Sequence, residues 1–231
     1  LFDRRLTVAL TGFYSDYKNV QIPGSVGCII NGIATFCGVT TNAAKATFKG
    51  VELEANARLV EDFAGAGSAI TFAGTLGYID GQFKSYIVNG VDVSGQREIQ
   101  NTPKWTLSGT LGAAIPVGGG MVNASATVSY RSKTNQFEVP SPLLDQPGYA
   151  LFDANLVWTS EDDMFSLGIH GKNLFDKEYI TSGYQFLSTQ PDGTLNRTPG
   201  GNVISTLGTE GIATAFYGNP RQVFVSAGVK F

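Results

Sequence analysis

Apolar and polar residues alternate with a period of two along most of this chain, and the 3.6-residue period of an amphipathic helix is nearly absent. In the clearest run, residues 48–60, Val51 and Leu53 fall on one side while Glu52 and Glu54 fall on the other. Such alternation is typical of a β-strand with one apolar and one polar face. The pattern predicts eight strands, over about residues 4–22, 48–60, 69–78, 105–115, 122–131, 152–159, 165–172 and 222–231.

The predicted strands are long, and their polar row is unusual. Globular strands most often have about five or six residues, whereas a strand that crosses a bilayer at about 45° needs about 9–11. The polar row consists mainly of Ser, Thr, Asn and Gly rather than the Lys and Glu that usually cover a soluble β-sandwich. The pattern therefore favours an all-β, antiparallel transmembrane β-barrel, and a large soluble β-sandwich is the alternative.

The connections between the predicted strands alternate between short and long. Short turns lie near residues 61–67, 117–120 and 160–163; long loops lie at roughly 23–45, 82–101, 138–147 and 182–218. Outer-membrane barrels have short turns on the periplasmic side and longer loops outside, so we expect a bacterial outer-membrane location with both chain ends periplasmic. The aromatic residues near the strand ends resemble two interfacial girdles. They are Trp158, Phe165 and Phe231 on the turn side and Tyr78, Trp105 and Tyr130 on the loop side.

Composition agrees with this interpretation. Charged residues make up 15% of the 231 residues, against about 25% in ordinary soluble domains. No run of about 18 apolar residues is present to form a membrane-spanning helix, and a hydrophobic content of 42% argues against disorder. A net charge of −3 gives no basic surface for nucleic acid. The chain begins at Leu1 rather than Met, and we expect it to be a fragment of a longer protein.

Cys28 and Cys37 are the only two cysteines. A metal site would need further ligands, and a redox pair more often has the spacing Cys-x-x-Cys. We therefore expect a disulfide that closes one loop, which implies an oxidising compartment. Closing so short a loop would stabilise the fold by roughly 2–3 kcal/mol in the chain-entropy model.

The sequence contains no catalytic or metal-binding motif, so we expect no enzyme, no metal and no cofactor. His170 is the only histidine and lies in the polar row, which favours a hydrogen-bonded wall residue over a role in gating or substrate contact. Glu52, Glu54 and Arg58 share one face, where they are expected to form an ion-pair network or to face water.

One segment resembles a known family. Asn173, Leu174, Phe175, Asp176 and Tyr179 are similar to the Asn-Leu-Phe-Asp-x-x-Tyr signature of TonB-dependent outer-membrane receptors. The last residues, 220–231, resemble that family's final strand, and the terminal aromatic, Phe231, resembles the signal that the outer-membrane assembly machinery recognises. The stretches 13–22, 49–54 and 102–105 are also similar to family strands.

The resemblance implies a 22-stranded barrel whose lumen holds an N-terminal plug domain. The whole chain, 1–231, would then be the C-terminal part of the barrel, its last eight strands, without the plug or the earlier strands. The implied function is TonB-dependent import of a scarce nutrient, most often a ferric siderophore, with TonB engaged through segments outside this chain. A self-contained eight-stranded structural or adhesive barrel is the alternative. Such a barrel fills its interior with side chains, and the small residues of the polar row would leave it under-packed.

Ligand contacts, if this part of the barrel makes them, are expected in the long loops, because loops on a rigid scaffold carry recognition. The expected contact residues are Tyr184, Phe186, Arg197, Arg97 and Lys133. The alternative for each of these residues is solvated loop surface or contact with lipopolysaccharide. The other expected partners are the lipids of the outer membrane.

Overall fold

The computed structural model describes residues 5–88, 90–188, 190, 194–205 and 213–231, without the side chains of residues 22–28, 34–36, 39, 41 and 43. These residues form eleven strands and one short 3-10 helix, Ser94–Gln96. The strands are β1 (Leu6–Ile30), β2 (Ile33–Glu61), β3 (Ala69–Val88), β4 (Val91–Asp92), β5 (Trp105–Pro116), β6 (Gly120–Arg131), β7 (Tyr149–Ser160), β8 (Phe165–Lys172), β9 (Ile180–Gln185), β10 (Ala213–Tyr217) and β11 (Gln222–Val229).

Eight of these strands form one antiparallel sheet in the order β1-β2-β3-β5-β6-β7-β8-β11. The short strand β4 pairs only with β3, and β9 pairs with β10 in a separate two-stranded sheet. The predicted all-β antiparallel class is therefore confirmed. Within the described residues, β1 and β11 are the two edges and do not pair with each other, so the sheet is an open arc. An open arc argues against the alternative of a barrel that closes with eight strands.

The register places apolar residues of neighbouring strands side by side on one face. Leu10 lies opposite Leu53, which lies opposite Leu76, and Leu76 lies opposite Leu107. This apolar face is open to the surroundings: Leu10 is 70% exposed and Val225 is 77% exposed. A continuous exposed apolar surface of this size marks contact with a membrane or another protein. The opposite, polar face carries mainly Ser, Thr, Asn, Gly and carboxylate side chains.

The three predicted short turns are confirmed, since they connect β2 to β3, β5 to β6 and β7 to β8. In the second turn, Gly118 and Gly119 both have positive φ, and the N–H of Val117 donates to the carbonyl of Gly120 at 2.9 Å. Two successive left-handed residues give the tight hairpin turn whose twist matches that of the flanking strands.

Three of the predicted long loops are wrong in part, because strands continue into them. The loop predicted at 23–45 is the outer half of the β1–β2 hairpin, which turns at Asn31 and Gly32 with φ of 51° and 81°. β3 continues to Val88, and β9 and β10 occupy the ends of the loop predicted at 182–218. Alternation did not reveal these segments, because their strands are held by ladder hydrogen bonds between backbone groups, which require no regular apolar row.

The described part of the chain has one buried apolar cluster, at the loop end of the first three strands. Ala44 and Tyr86 are its buried members, and Val20, Phe83 and Val93 pack against them. The cluster lies directly beside the candidate site described next.

Candidate functional site

A groove lies on the polar face at the loop end of β1, β2 and β3. Here apolar side chains replace the Ser, Thr and carboxylate residues that occupy the polar face lower down the strands. The groove has a volume of about 470 Å³. Its apolar lining includes Phe13, Phe48, Ile79, Phe83 and Ile99. Ligand pockets are typically concave, about 300–1,000 Å³ in volume and mostly apolar, and this groove has those properties.

Glycine opposite each of two phenylalanines makes the groove possible. Phe13 pairs with Gly50, and Phe48 pairs with Gly81. A Cβ atom on Gly50 would lie 2.6 Å from Cζ of Phe13, and one on Gly81 would lie 2.8 Å from Cε1 of Phe48. Both rings therefore lie across the neighbouring strand, where a larger residue would exclude them. The ring of Phe48 also meets Tyr17 edge to face, with 5.5 Å between centroids.

Two loops supply the polar edge of the groove. Gln100 and Glu138 line it from outside the sheet. The loops that carry them are joined by a hydrogen bond of 2.8 Å from the N–H of Glu98 to the carbonyl of Glu138. The groove thus combines a rigid aromatic floor with an amide and a carboxylate, and it can hold a flat, partly polar molecule.

Arg97, one of the predicted contact residues, packs on the buried cluster beside the groove. Its guanidinium lies over the ring of Tyr86, 5.5 Å from the centroid, and that ring meets Phe83 edge to face at 5.1 Å. Asp92 fixes the adjacent turn by accepting the N–H groups of Tyr86 at 3.1 Å and Ser94 at 2.9 Å. The hydrogen bonds from Ser94 and Tyr86 hold the pKa of Asp92 at about 2, so this turn keeps its carboxylate anchor at any physiological pH.

Lys133 lies beside a second cavity, of about 360 Å³, which shares Ile79 and Ile99 with the groove. Its ammonium is 3.6 Å from the carboxylate of Asp145, so part of its charge is compensated within the chain. The side-chain carbonyl oxygen of Asn135, on the same wall, is buried without a partner in the described structure. Lys133 and Asn135 therefore line a cavity that adjoins the groove.

The other predicted contact residues lie elsewhere. Tyr184 is on β9, where its ring is 5.7 Å from Phe186 and 6.4 Å from Phe216. Arg197 donates from Nη1 to the carbonyl of Gly201 at 2.7 Å, which ties its side chain to its own loop. None of the five predicted contact residues lines the groove itself, although Arg97 and Lys133 lie beside it. The structure thus separates the five predicted residues into two regions.

The groove residues themselves were missed by the sequence analysis. Phe13, Phe48, Ile79 and Phe83 lie in the row that is otherwise polar, near the loop ends of their strands. For Phe13 and Phe48, the identifying signal is an aromatic residue in the polar row that is paired with a glycine on the next strand.

Among the described residues, no group of three or more His, Cys, Asp and Glu side chains is arranged to hold a metal ion. In the same part of the chain, no helix is both long and apolar enough to cross a membrane.

Comparison with known proteins decides the family. The family model described as a TonB-dependent receptor-like β-barrel matches residues 1–174. The chain belongs to the TonB-dependent receptor family. This is a family of outer-membrane transporters and receptors rather than of enzymes, and it accounts for the open arc, since the sheet is a partial barrel.

Solved receptors for iron chelates have the same fold. The ferric yersiniabactin uptake receptor FyuA from Yersinia pestis superimposes with a TM-score of 0.67 at 20% identity, over 99% of this chain and 28% of that receptor. The ferric preacinetobactin receptor BauA from Acinetobacter baumannii gives 0.59 at 15% identity, over 96% of this chain and 27% of that one. The ferric-catecholate import receptor Fiu from K12 E. coli gives 0.58 at 15% identity, over 98% and 25%. The chain therefore spans about a quarter of the length of these receptors.

In this receptor barrel, the predicted signature acts as a structural joint. Asn173 is 4% exposed, and its Nδ2 donates to the carbonyls of Lys177 at 2.9 Å and Asn219 at 3.0 Å. Its Oδ1 accepts the N–H of Lys177 at 2.8 Å. Asp176 in turn accepts the N–H of Arg221 at 2.8 Å. The signature therefore joins the end of β8 to the segment that leads into β11.

The backbone at Asn173 explains why the signature begins with asparagine. Its φ is 48°, in the left-handed region that asparagine tolerates better than most residues with a Cβ. The other members of the signature pack beside it. Phe175 lies 5.2 Å from Phe152, and Tyr179 stacks on Tyr149 at 4.6 Å. Leu174 donates its N–H to the carbonyl of Phe152 at 2.8 Å.

His170 is a hydrogen-bonded wall residue on the polar face. Its Nδ1 lies 2.9 Å from Oδ1 of Asn155, and its Nε2 lies 2.9 Å from Oγ of Ser226. Its ring also stacks on Phe224 at 4.8 Å. Both ring nitrogens are thus engaged with neighbouring strands.

Of the two alternatives for Glu52, Glu54 and Arg58, the ion-pair network is not formed. Arg58 instead bonds Glu61 at 2.7 Å, and Arg5 approaches the same carboxylate at 3.3 Å. The reason is position, since Arg58 is at the turn end of β2, where Glu61 is nearer than Glu54.

Two further predictions concern single residues. Cys37 is disulfide-bonded, but the side chain of Cys28 lies outside the described residues, so the pairing stays a prediction. Phe231 follows the end of β11 and is fully exposed, and its role as an assembly signal also stays a prediction.

Proposed function

We propose that this chain forms part of the wall and of the extracellular loops of an outer-membrane receptor. The receptor would import a ferric siderophore, with the energy for import transmitted by TonB. Membership of the family supports import, and the solved receptors named above are described as receptors for iron chelates. The observation that carries the proposal for this chain is the aromatic groove on the polar face.

In the proposed orientation, the apolar face contacts lipid and the polar face lines the lumen. The long connections face the outside, and both chain ends are periplasmic. The apolar rows between the two aromatic levels have lengths that fit a bilayer: residues 105–115 of β5 and 122–130 of β6 supply 11 and 9, against about 9–11 that a tilted strand requires. The chain would be the C-terminal eight strands of a 22-stranded barrel, with the plug domain supplied by other segments.

The groove is proposed to contact the bound chelate. Its floor offers aromatic faces for the flat rings of a chelator, and Arg97 at its margin adds a positive charge for an anionic complex. In the proposed mechanism, outer loops and lumen wall bind the ferric chelate, and force transmitted by TonB then shifts the plug to open a path.

Replacing Phe48 by alanine in the full-length receptor is expected to weaken binding of its ferric siderophore roughly tenfold, because a packed aromatic contact is worth about one factor of ten. The dissociation constant would be measured on purified receptor with a panel of ferric catecholate and ferric hydroxamate chelates. Uptake of the bound chelate into cells with and without TonB is the accompanying measurement.

The matched control is Phe63→Ala, since Phe63 is an exposed phenylalanine in the turn after β2 and lies outside the groove. It should bind like the wild-type receptor. If the Phe48→Ala receptor and the wild type bound the siderophore with equal affinity, the groove would not be part of the siderophore-binding site. Uptake that persists without TonB, or no uptake of any iron chelate, would contradict the proposed function itself.

A further inference from the structure

Lysines gather on the outward, apolar face just beyond its outer aromatic level. That level is defined by Tyr78 and Trp105, whose rings are 4.6 Å apart. Beyond it, five of the nine lysines of the chain lie on β1, β2, β3 and the entry to β5. They are Lys18, Lys45, Lys49, Lys84 and Lys104, and all five are exposed.

The two lysines nearest to the aromatic level share one carboxylate within the chain. Asp80 lies between Lys49 at 3.5 Å and Lys104 at 3.7 Å. Gln82 also donates to this carboxylate, at 3.3 and 3.4 Å. In this first level, just beyond the aromatic residues, a carboxylate lies between two ammonium groups and forms an ion pair with each.

The second level is positive on all three strands. Lys45 of β2 lies opposite Ser85, next to Lys84, on β3. On its other side, the register with β1 places Lys18 and Asn19 between the pairs Tyr17–Ala46 and Val20–Ala44. Adjacent strands are about 4.8 Å apart, so three ammonium groups share one short row. No ion pair to any of the three is formed among the described residues, although Asp16 lies on the same face.

The three lysines lie on paired strands, and the local strand register determines their positions. The two lysines that flank Lys45 on the adjacent strands both lie at shifts in the strand register. Lys18 lies in the shift between Tyr17 and Val20 of β1, and Lys84 lies in the shift of β3 that faces Lys45. A β-bulge re-aims the side chain at the extra residue. Behind the row, on the other face, the buried cluster around Ala44 and Tyr86 keeps this part of the sheet packed.

Like charges at neighbouring positions on adjacent strands repel each other, and a multivalent anion would offset this repulsion. The row begins six residues beyond Tyr78, which is about 20 Å along a strand at about 3.3 Å per residue. With the strand tilted by about 45°, the row lies roughly 14 Å above the aromatic level. In the orientation proposed above, that height is the anionic sugar region of the outer leaflet.

We propose that Lys18, Lys45 and Lys84 form a binding site for the phosphorylated headgroup of lipopolysaccharide on the outer wall of the receptor. The inference rests on the orientation given under the proposed function, but not on the identity of the imported substrate. The site holds a lipid beside the barrel, on the face opposite to the groove.

The test uses purified full-length receptor in detergent, freed of lipid and titrated with purified lipopolysaccharide while native mass spectrometry counts bound molecules. The triple variant K18Q/K45Q/K84Q is expected to bind roughly a hundredfold more weakly, since each lysine near an anionic surface contributes about a factor of five. The single variant K45Q should lose about fivefold. Dephosphorylated lipopolysaccharide should bind the wild type no better than lipopolysaccharide binds the triple variant, and inorganic phosphate should not displace the intact lipid.

The charge-matched control is K172Q/K177Q/K230Q, which removes three exposed lysines outside the row and should bind like the wild type. Binding that is equal in K18Q/K45Q/K84Q and wild type, or absent from the wild type, would overturn the site. Displacement by inorganic phosphate would assign the row to a free anion and would overturn it as well. Siderophore uptake is measured on the wild type and the same variants. If the wild-type receptor imported no ferric siderophore, the proposed function would be contradicted, but the result on lipid binding would still hold.

Discussion

Replacing Leu111 by arginine is expected to destabilise the full-length barrel by about 2–4 kcal/mol, the cost of an arginine on the lipid face near the bilayer midplane. Leu111 lies opposite Phe72 and Ala126 in the apolar rows and is 51% exposed. The free energy of unfolding would be measured in lipid vesicles by urea titration, with the folded fraction read from heat-modifiable gel mobility.

The matched control is Ala73→Arg on the neighbouring strand. Ala73 lies opposite Thr110, one residue from Leu111, at the same depth but on the polar face. An arginine there meets water and the nearby carboxylate of Glu54, so the expected cost is below about 1 kcal/mol. Equal destabilisation by the two arginines, or a larger cost at Ala73, would reverse the assignment of the faces.

Replacing Asn173 by alanine is also expected to have a large effect, a destabilisation of the barrel by about 2–4 kcal/mol. The substitution removes three hydrogen bonds of a buried side chain and leaves backbone groups of Lys177 and Asn219 without partners. It also puts alanine in a left-handed conformation that disfavours a Cβ without a local hydrogen bond. Unfolding titrations and the amount of receptor in the outer membrane would both report the change.

Asn173→Asp separates the two causes, because aspartate tolerates the same backbone conformation and keeps the acceptor while losing both donated bonds. We expect it to fall between wild type and alanine. Asn123→Ala is the control, since Asn123 is exposed on the polar face of β6. If Asn173→Ala unfolded like the wild type, the signature would not be the joint between β8 and β11.

The membrane-spanning part of the fold could be predicted from the sequence because lipid imposes the pattern that was searched for. Leu107 and Leu111 must alternate with Ser108 and Thr110, since one side of the strand meets hydrocarbon and the other water. Beyond the bilayer that constraint ends. The outer half of the β1–β2 hairpin has no lipid to face, and so its ladder of backbone bonds had no signature in residue type.

The sequence indicated which types of residue would form the candidate site, but not where in the fold the site would lie. Arg97 was expected among the ligand contacts and lies beside the groove, because its guanidinium packs on the ring of Tyr86. Tyr184 and Phe186 were expected there as well, but pairing of β9 with β10 holds them in a separate sheet. Phe48 was passed over because its row is polar elsewhere, and only the strand register reveals that Gly81 leaves room for its ring.

The lysine row depends even more on register. Lys18, Lys45 and Lys84 are far apart in the sequence, and two shifts in strand pairing bring them to one level. Residue spacing along the chain carries no information about such shifts.

Accessibility measured by spin labels along β5 tests the central claim, that this sheet is an arc of barrel wall with lipid on one face and the lumen on the other. Single cysteines at each position from 107 to 112 in the full-length receptor would carry a nitroxide label, with oxygen as the lipid-soluble probe and a nickel chelate as the water-soluble one. We expect a period of two, with labels at 107, 109 and 111 accessible to oxygen and those at 108, 110 and 112 accessible to the chelate. The opposite phase, or no alternation, would contradict it.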